Sequence, residues 1–439
     1  MDYLKHVSKK LGLEEDPEIG LPIHIATTLP VTLWYDHEED NLILLDQNRL
    51  PFEVRSRKIS DWKEGVEAIK SMVVRGSQAI GVAGAYTLLI GALQIKHKPN
   101  PVEDISSVAK EIAYARPTAA PLAWATLLAY EYSKKIYEET RSIESFIEAL
   151  RKICDFILAQ DMALNYYMRK YGQKVIKNGD VIMTHCNGGS LSSTLMGHAL
   201  GVIEEAYSNG VDVKVVSKET RPRSQGYRLT VWELNRVGVP TTIITDNMIS
   251  ISFERLGVNK AMLGADRVAR DGSVANKIGS VDIARIFKYF KAPFYYATSY
   301  STISLDVKKG NEIEIEERSI DEVTYPYSLI AKDMKEKGLI SSNALDEWPP
   351  SDKIVTREPG RGEVRIFNPA FDVTPPKFIT AIITDIGILR PNQIRKLTEK
   401  KILNMVKRKI IDFGLEFPEG LSGITPQSLG EKTLKNKFQ

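Results

Sequence analysis

The sequence predicts an α/β protein with a C-terminal region built on a parallel sheet and a mainly helical N-terminal region with short strands. Two observations carry this. From about residue 179, short apolar runs alternate with helical patterns: "DVIMTHC", "VDVKVVS", "PTTIITD", "KAMLGAD" and "APFYYAT". Apolar runs of this kind, most ending in a polar residue or a small-residue loop, mark strands buried on both faces. Before them, residues 104–178 carry amphipathic patterns at helical spacing. The expected organisation is an N-terminal domain over 1–178, a sheet domain over 179–390 interrupted by an insertion at 326–365, and a basic C-terminal extension over 391–439.

In chain order, "NLILLDQNRLPFEVRS" (41–56) reads as two strands joined by a polar turn. "DWKEGVEAIKSMVV" (61–74) reads as a helix with Asp61 placed to cap it. The run at 79–93 is short of a membrane span and rich in small residues suited to helix packing. In "SFIEALRKICDFILAQ", Ile147, Leu150, Ile153, Cys154 and Ile157 share one face, which makes Cys154 a core thiol. Residues 326–365, with "DEWPPSDK" and "REPGRGE", are polar and rich in Pro and Gly, and read as a loop or lid with Gly360 and Gly362 as hinges. The extension contains "RKLTEKKILNMVKRKIIDF", whose amphipathic spacing points to packing on the body of the protein.

The chain has 439 residues and 59 Lys and Arg against 56 Asp and Glu, a formal charge of +3. That balance does not suggest bulk nucleic-acid binding. Two cysteines give neither a disulfide framework nor a zinc spacing. The N-terminus lacks the apolar centre of a signal peptide, so a cytoplasmic location without membrane contact is expected.

In parallel sheets ligands bind beyond the carboxyl ends of the strands, which draws attention to Cys186, 218–223, Asp246, Asp266 and 298–302. Cys186 in "THCNGGSLSS" sits in a turn between a strand and a helix, where a helix N-terminus and neighbouring His185 would favour the thiolate. The plainer reading is a small buried hydrophobe. Asp266 in "GADR" closes an apolar strand, and partial desolvation would raise its pKa and fit it to act as an acid; the alternatives are a cap or a salt bridge to Arg267. Asn276 and Lys277, read as the start of a helix, suit a phosphate or hydroxyl. Arg221, Arg223 and Arg228, grouped with Gln225, can clamp an anion or simply form a solvated turn. Arg75–Gly76 and Arg116 each precede a small-residue helix. Together these imply a small anionic ligand, with no Walker loop, GxGxxG fingerprint or metal-binding histidine cluster, and hence no cofactor or metal.

The ordered set "VVRGSQAIGVAGAY", "ARPTAAPLAWA", "THCNGGSLSS", "ETRPRSQGYRLTVWEL", "TDNM", "GADRVARDGSVANKIGS", "IEIEER" and "NPAFDVTPPKFITAIITDIGI" resembles the methylthioribose-1-phosphate isomerases over roughly residues 20–390. Their wider family includes ribose-1,5-bisphosphate isomerase and the regulatory subunits of the initiation-factor guanine-exchange complex. The resemblance implies a metal-free, dimeric aldose–ketose isomerase acting on a sugar phosphate, with a Rossmann-like C-terminal domain and a smaller N-terminal domain. It implies Cys186 and Asp266 as the catalytic pair, and Arg75, Gly76, Ser77, Arg116, Gln225, Asn276 and Lys277 as substrate contacts.

Three departures from the family pattern bear on specificity. "RGAPAIG" is here "RGSQAIG", "HCNAGALAT" is "HCNGGSLSS", and the acid before "ETRPR" is Lys218. A methylthio group wants an apolar pocket, whereas a hydroxyl or phosphate wants donors such as Ser77, Gln78 or Lys218. Two alternatives stay open at this point: a sister isomerase acting on ribose 1,5-bisphosphate or 5-deoxyribose 1-phosphate, and a non-catalytic regulatory subunit.

Overall fold

The computed structural model describes residues 1–116, 120–339 and 365–421. The chain opens with the helix Tyr3–Leu11 and the hairpin of Leu13–Asp16 with Leu21–His24, followed by an antiparallel sheet in the order Leu33–Asp36, Asn41–Leu45, Ser56–Ile59. Of the two strands read within 41–56 only the first lies there: residues 46–55 are the connection, and the second strand, Ser56–Ile59, begins at the last residue of that stretch. Five helices follow: Trp62–Lys70, Ser77–Ile95, Pro101–Ala113, Ala120–Thr140 and Ile143–Gly172. Asp61 caps the first, accepting from Lys63 N at 2.7 Å.

Ser77–Ile95 is apolar on every side because it is the central helix of this bundle. By length and composition it could cross a membrane, yet it is mostly buried and packs on Pro101–Ala113, Ala120–Thr140 and Ile143–Gly172. Cys154, on the long helix Ile143–Gly172, is fully buried, and its thiol donates to Ala85 O at 3.2 Å. It is a core thiol, as its stripe of apolar neighbours predicts.

The second layer is a seven-stranded sheet. Its order from edge to edge is Gly387–Leu389, Ala381–Thr384, Phe294–Ala297, Lys260–Leu263, Asp180–Thr184, Val213–Lys218, Thr241–Ile244. All neighbours are parallel except the edge strand Gly387–Leu389. The five runs singled out in the sequence are five of the six parallel strands. They progress outward in opposite directions from the central pair, Asp180–Thr184 and Lys260–Leu263. The chain therefore changes direction between those two strands, and the crevice beyond their carboxyl ends is where such sheets bind ligands. The loop after one strand carries Cys186; the loop after the other carries Asp266.

A small antiparallel sheet, Arg267–Val268, Val274–Lys277 and Phe371–Thr374, lies beyond these ends. It corrects the reading of Asn276 and Lys277 as a helix start. Both are strand residues, opposite Asp372 and Phe371, and the helix begins later, at Ser280. Their pairing to Phe371–Thr374 joins segments far apart in sequence, which local pattern does not show.

Two more expectations need adjustment. Residues 326–336 are not loop but the latter part of the helix Asp321–Glu336. Acidic Asp321 and Glu322 suit its N-terminus, and Pro326 costs it one internal hydrogen bond without ending it. Residues 340–364, including Gly360 and Gly362, lie outside the described residues. In the C-terminal extension, the helix Glu399–Phe413 buries Ile402, Val406, Ile410 and Phe413 and packs against Ile143–Gly172. Residues from 422 onward lie outside the described residues.

The two layers meet at Gly76. Its φ is +96°, and a Cβ there would overlap the backbone of Ser192, 2.8 Å from the Ser192 carbonyl oxygen. Gly76→Ala is expected to destabilise the protein by about 2 kcal/mol or more, read as a lower urea midpoint at unchanged m. An unchanged midpoint would show that this close approach does not exist in solution.

Candidate active site

A cavity of about 140 Å³ opens where the helical layer meets the carboxyl ends of the central strands. By the same measure that is room for about ten waters, the scale of a small polar ligand. Its walls include Arg75, Gly76, Ser77, Arg116, Cys186, Gln225, Asp266 and Lys277. A smaller, adjoining recess of about 30 Å³ shares Arg75, Gly76, Ser77, Cys186 and Asp266 and adds Asn276. The nine residues that the resemblance implies as catalytic or substrate-binding thus lie around one place. Strand alternation explains the split: Ala275 and Lys277 face the larger space, and Asn276 the recess.

Convergence depends on a glycine contact at the sheet centre. A Cβ on Gly188 would lie 2.9 Å from Gly264 Cα, so only glycine lets the Cys186 loop and the Asp266 loop touch.

Cys186 has φ +64°, an uncommon left-handed conformation for a side-chain-bearing residue. Its backbone is held on both sides: Cys186 N donates to Thr220 Oγ1 at 2.9 Å, and Cys186 O accepts from Thr230 Oγ1 at 2.6 Å. Gln225 Nε2 donates to its sulfur at 3.4 Å. The helix expected to follow closely does not: "GGSLSS" first forms the 3₁₀ turn Ser190–Ser192, and the α-helix starts only at His198. His185 is not a cation either. It is buried between Ile278 O and Thr220 Oγ1, and burial, then Lys218, push its pKa well below the ordinary value. The basic group nearest in effect to the thiol is Lys277, itself buried and 4.6 Å from the Phe371 ring centroid; burial lowers its pKa, and Cys186 and Asp266 pull it back up.

Asp266 lines the cavity with its carboxyl solvent-accessible there, while protein surrounds it closely on the remaining sides. Enclosure by the walls raises its pKa, against the opposing pull of Lys277, Arg75, Arg116 and Arg318. It neither caps a helix nor lies at one, being followed by the short strand Arg267–Val268. Thr298 supports its loop, donating to Ala265 O at 3.3 Å.

The walls carry seven cationic side chains, Arg75, Arg116, Arg223, Arg228, Arg267, Arg318 and Lys277, against two carboxylates, Asp266 and Glu314. That excess suits an anion. The cations are not equivalent. Arg228 spends itself on the 46–55 connection, donating to Leu50 O at 3.2 Å and Gln47 O at 2.9 Å. Arg223 and Arg318 share Glu322, at 3.1 Å and 3.5 Å. Arg221 points away and donates to Val323 O, outside the cavity. Asp246 also lies outside, accepting from Thr220 N and Arg221 N.

Of the polar departures, Ser77 lines the cavity. The amide nitrogen of Gln78 is committed to Ser301 Oγ at 3.0 Å and Thr302 Oγ1 at 3.4 Å. Buried Lys218 faces Asp246 at 3.7 Å and is not among the lining residues. Sequence reasoning did not assign Arg318 and Phe371, although both stand in quoted motifs, "IEIEER" and "NPAFDVTPP". Gln47 and Asn48 carried no signal, since only the tertiary fold brings the 46–55 connection over the cavity.

Residues 73–391 match the model of the initiation factor 2 subunit family. A protein of Carboxydothermus hydrogenoformans named methylthioribose-1-phosphate isomerase is 39% identical over 363 residues, covering 82% of this chain and 97% of its own. One of the same name from Caldicellulosiruptor saccharolyticus is 36% identical over 375 residues, covering 83% and 99%. Among solved structures, the 5-methylthioribose 1-phosphate isomerase of Pyrococcus horikoshii OT3 superposes with a TM-score of 0.70 at 30% identity, over 86% of this chain and 97% of that one. The structure titled translation initiation factor eIF-2B, subunit delta, from A. fulgidus superposes with a TM-score of 0.67 at 30% identity, over 84% and 99%. On the extent of these matches, the chain belongs to the initiation factor 2 subunit family.

Proposed function

We propose that this protein is an aldose–ketose isomerase of methionine salvage that converts 5-methylthioribose 1-phosphate to 5-methylthioribulose 1-phosphate. The observation that carries the reading is the meeting of Cys186 and Asp266, from either side of the sheet's switch point, in one cation-lined cavity. A sugar 1-phosphate has no free anomeric hydroxyl, so ring opening needs an acid at the ring oxygen. Asp266, whose pKa burial raises, is the group assigned to give that proton. Cys186, as the thiolate partner, takes the C2 proton and returns it at C1, while the C2 hydroxyl gives its proton to the Asp266 carboxylate as the ketone forms; Lys277 is attracted to both groups. The arginines hold the phosphate. A non-catalytic regulatory role has no chemical use for this pair.

The C5 substituent is read from the walls. Gln78 and Lys218, two of the three donors that would favour a hydroxyl or phosphate, are engaged elsewhere. Met72, Ile80, Pro121, Leu229 and Ile313 supply apolar surface. The methylthio substrate is therefore expected to exceed ribose 1-phosphate and ribose 1,5-bisphosphate in kcat/KM by at least about tenfold, with ketose formation read by NMR across a panel differing at C5. A preference for the bisphosphate would mean that the surplus arginines bind a second phosphate, and the methylthio assignment would be wrong.

The protein pairs with a second copy of itself. Ile243 on the edge strand and Met248, Ile251 and Leu256 on the adjoining segment are exposed, and they support that reading. Sedimentation should give a dimer that Ile243→Lys with Ile251→Lys dissociates; a dimer untouched by both changes would place the interface elsewhere.

A further inference from the structure

Glu233, on the helix Val231–Val237, is fully buried beneath the Cys186 loop and does not line the cavity. Its carboxylate nonetheless collects the loop's donors. One oxygen accepts from Asn187 Nδ2 at 2.6 Å and Leu191 N at 3.4 Å; the other accepts from Ser190 N at 2.6 Å. A side chain at Gly189 would overlap this carboxylate.

An ionised carboxylate only accepts hydrogen bonds, so it decides which way the Asn187 amide faces. With its nitrogen on Glu233 and on Thr230 Oγ1 at 3.3 Å, Asn187 turns Oδ1 to Arg75. Arg75 donates to that oxygen at 2.7 Å and to Asn187 O at 3.2 Å. The same Thr230 hydroxyl donates to Cys186 O. One buried group is therefore linked in one direction to an arginine of the cavity and in the other to the backbone of the thiol. Glu204 lies close by, with both oxygens lacking partners among the described residues. Burial, then Glu233, pushes the pKa of Glu204 up, and Arg169 opposes that rise. Burial pushes Glu233 up as well, against its N–H donors and Arg75. The geometry separates the two: three N–H donors converge on Glu233 and none on Glu204 among the described residues, which makes Glu233 the ionised member.

We propose that Glu233 is a positioning residue that sets Arg75 through Asn187 and Cys186 through the 187–191 loop, so that the anion-holding arm and the thiol are placed by one carboxylate. The proposal deepens the isomerase reading and rests on it for its kinetic arm.

The test compares the full-length parent with Glu233→Gln, Glu233→Asp and Glu204→Gln. A glutamine offers an NH₂ where one of the loop's N–H groups needs an acceptor. Glu233→Gln is expected to lower kcat roughly 10- to 100-fold and to raise KM, with partial recovery in Glu233→Asp. Glu204→Gln should stay within about twofold of the parent. The second readout is alkylation of Cys186 by iodoacetamide with and without inorganic phosphate. Phosphate should slow alkylation in the parent and not in Glu233→Gln. This arm needs no sugar substrate, so a parent inactive on the sugar phosphate whose phosphate protection is lost in Glu233→Gln would sink the isomerase reading and support the positioning role. If Glu233→Gln does not fold, Asn187→Ala cuts the same link and should give the same two losses. Kinetic constants and phosphate protection within about twofold of the parent, whatever the thermal stability, would overturn the proposal.

Discussion

Turnover is expected to fall by at least about two orders of magnitude in Cys186→Ser and in Asp266→Asn, the loss typical of removing an acid–base group. Substrate binding should change far less in both, because the cations that hold the phosphate are left in place. The two variants report different events. Serine keeps the shape of Cys186 and its hydrogen bond from Gln225 but ionises far less readily at neutral pH. Asparagine keeps the size of Asp266 and removes the proton that ring opening consumes. Because the walls raise the pKa of Asp266, its protonated form persists above the ordinary carboxylate range. Activity carried by this acid should therefore decline as pH rises through that raised value, a limb absent from the residual activity of Asp266→Asn. Cys154→Ser is the control. Its thiol is buried in the helical layer and, among the described residues, donates to Ala85 O, so activity should be retained. A folded Cys154→Ser as inactive as Cys186→Ser would show that the two thiols have been assigned the wrong way round.

The second large effect is expected at Arg75. Its guanidinium lines the cavity and is oriented by Asn187. A charge-assisted hydrogen bond contributes about 1.5–3 kcal/mol, so Arg75→Ala should raise KM by about tenfold to a hundredfold. Calorimetric affinity for inorganic phosphate should weaken in parallel. Arg75→Lys keeps the charge but not the fork that meets both Asn187 oxygens, and should recover only part of the loss. A KM in Arg75→Ala unchanged from the parent would assign the phosphate to the other cations of the walls instead.

The parallel strands were legible because a strand buried on both faces must be a short apolar run, and nothing else in the chain alternates such runs with helices. Cys186 and Asp266 were legible because both end such runs in small-residue loops. What lay beyond reading was anything decided by pairing across long sequence separations. Asn276 and Lys277 look like a helix start beside "KIGS", and only their pairing to Asp372 and Phe371 makes them a strand. The expectation that His185 and a helix dipole charge the Cys186 environment failed for a related reason. "GGSLSS" closes a tight turn before any helix begins, and Lys277, distant in sequence, occupies the place of the cation. Arg223, Arg228 and Arg318 could be counted in the sequence, but not which of them Glu322 or the 46–55 connection already holds.

The account rests on one claim, that Cys186, Asp266 and the surrounding cations suffice to isomerise a sugar 1-phosphate. The direct test is ¹³C NMR of 5-methylthioribose 1-phosphate labelled at C2, incubated with the full-length protein in the presence of a chelator. The account predicts that the C2 signal is replaced by that of a ketone carbonyl, with the phosphate still attached at C1. A C2 signal that persists, or a ketone that forms only after a divalent metal is returned, would contradict it.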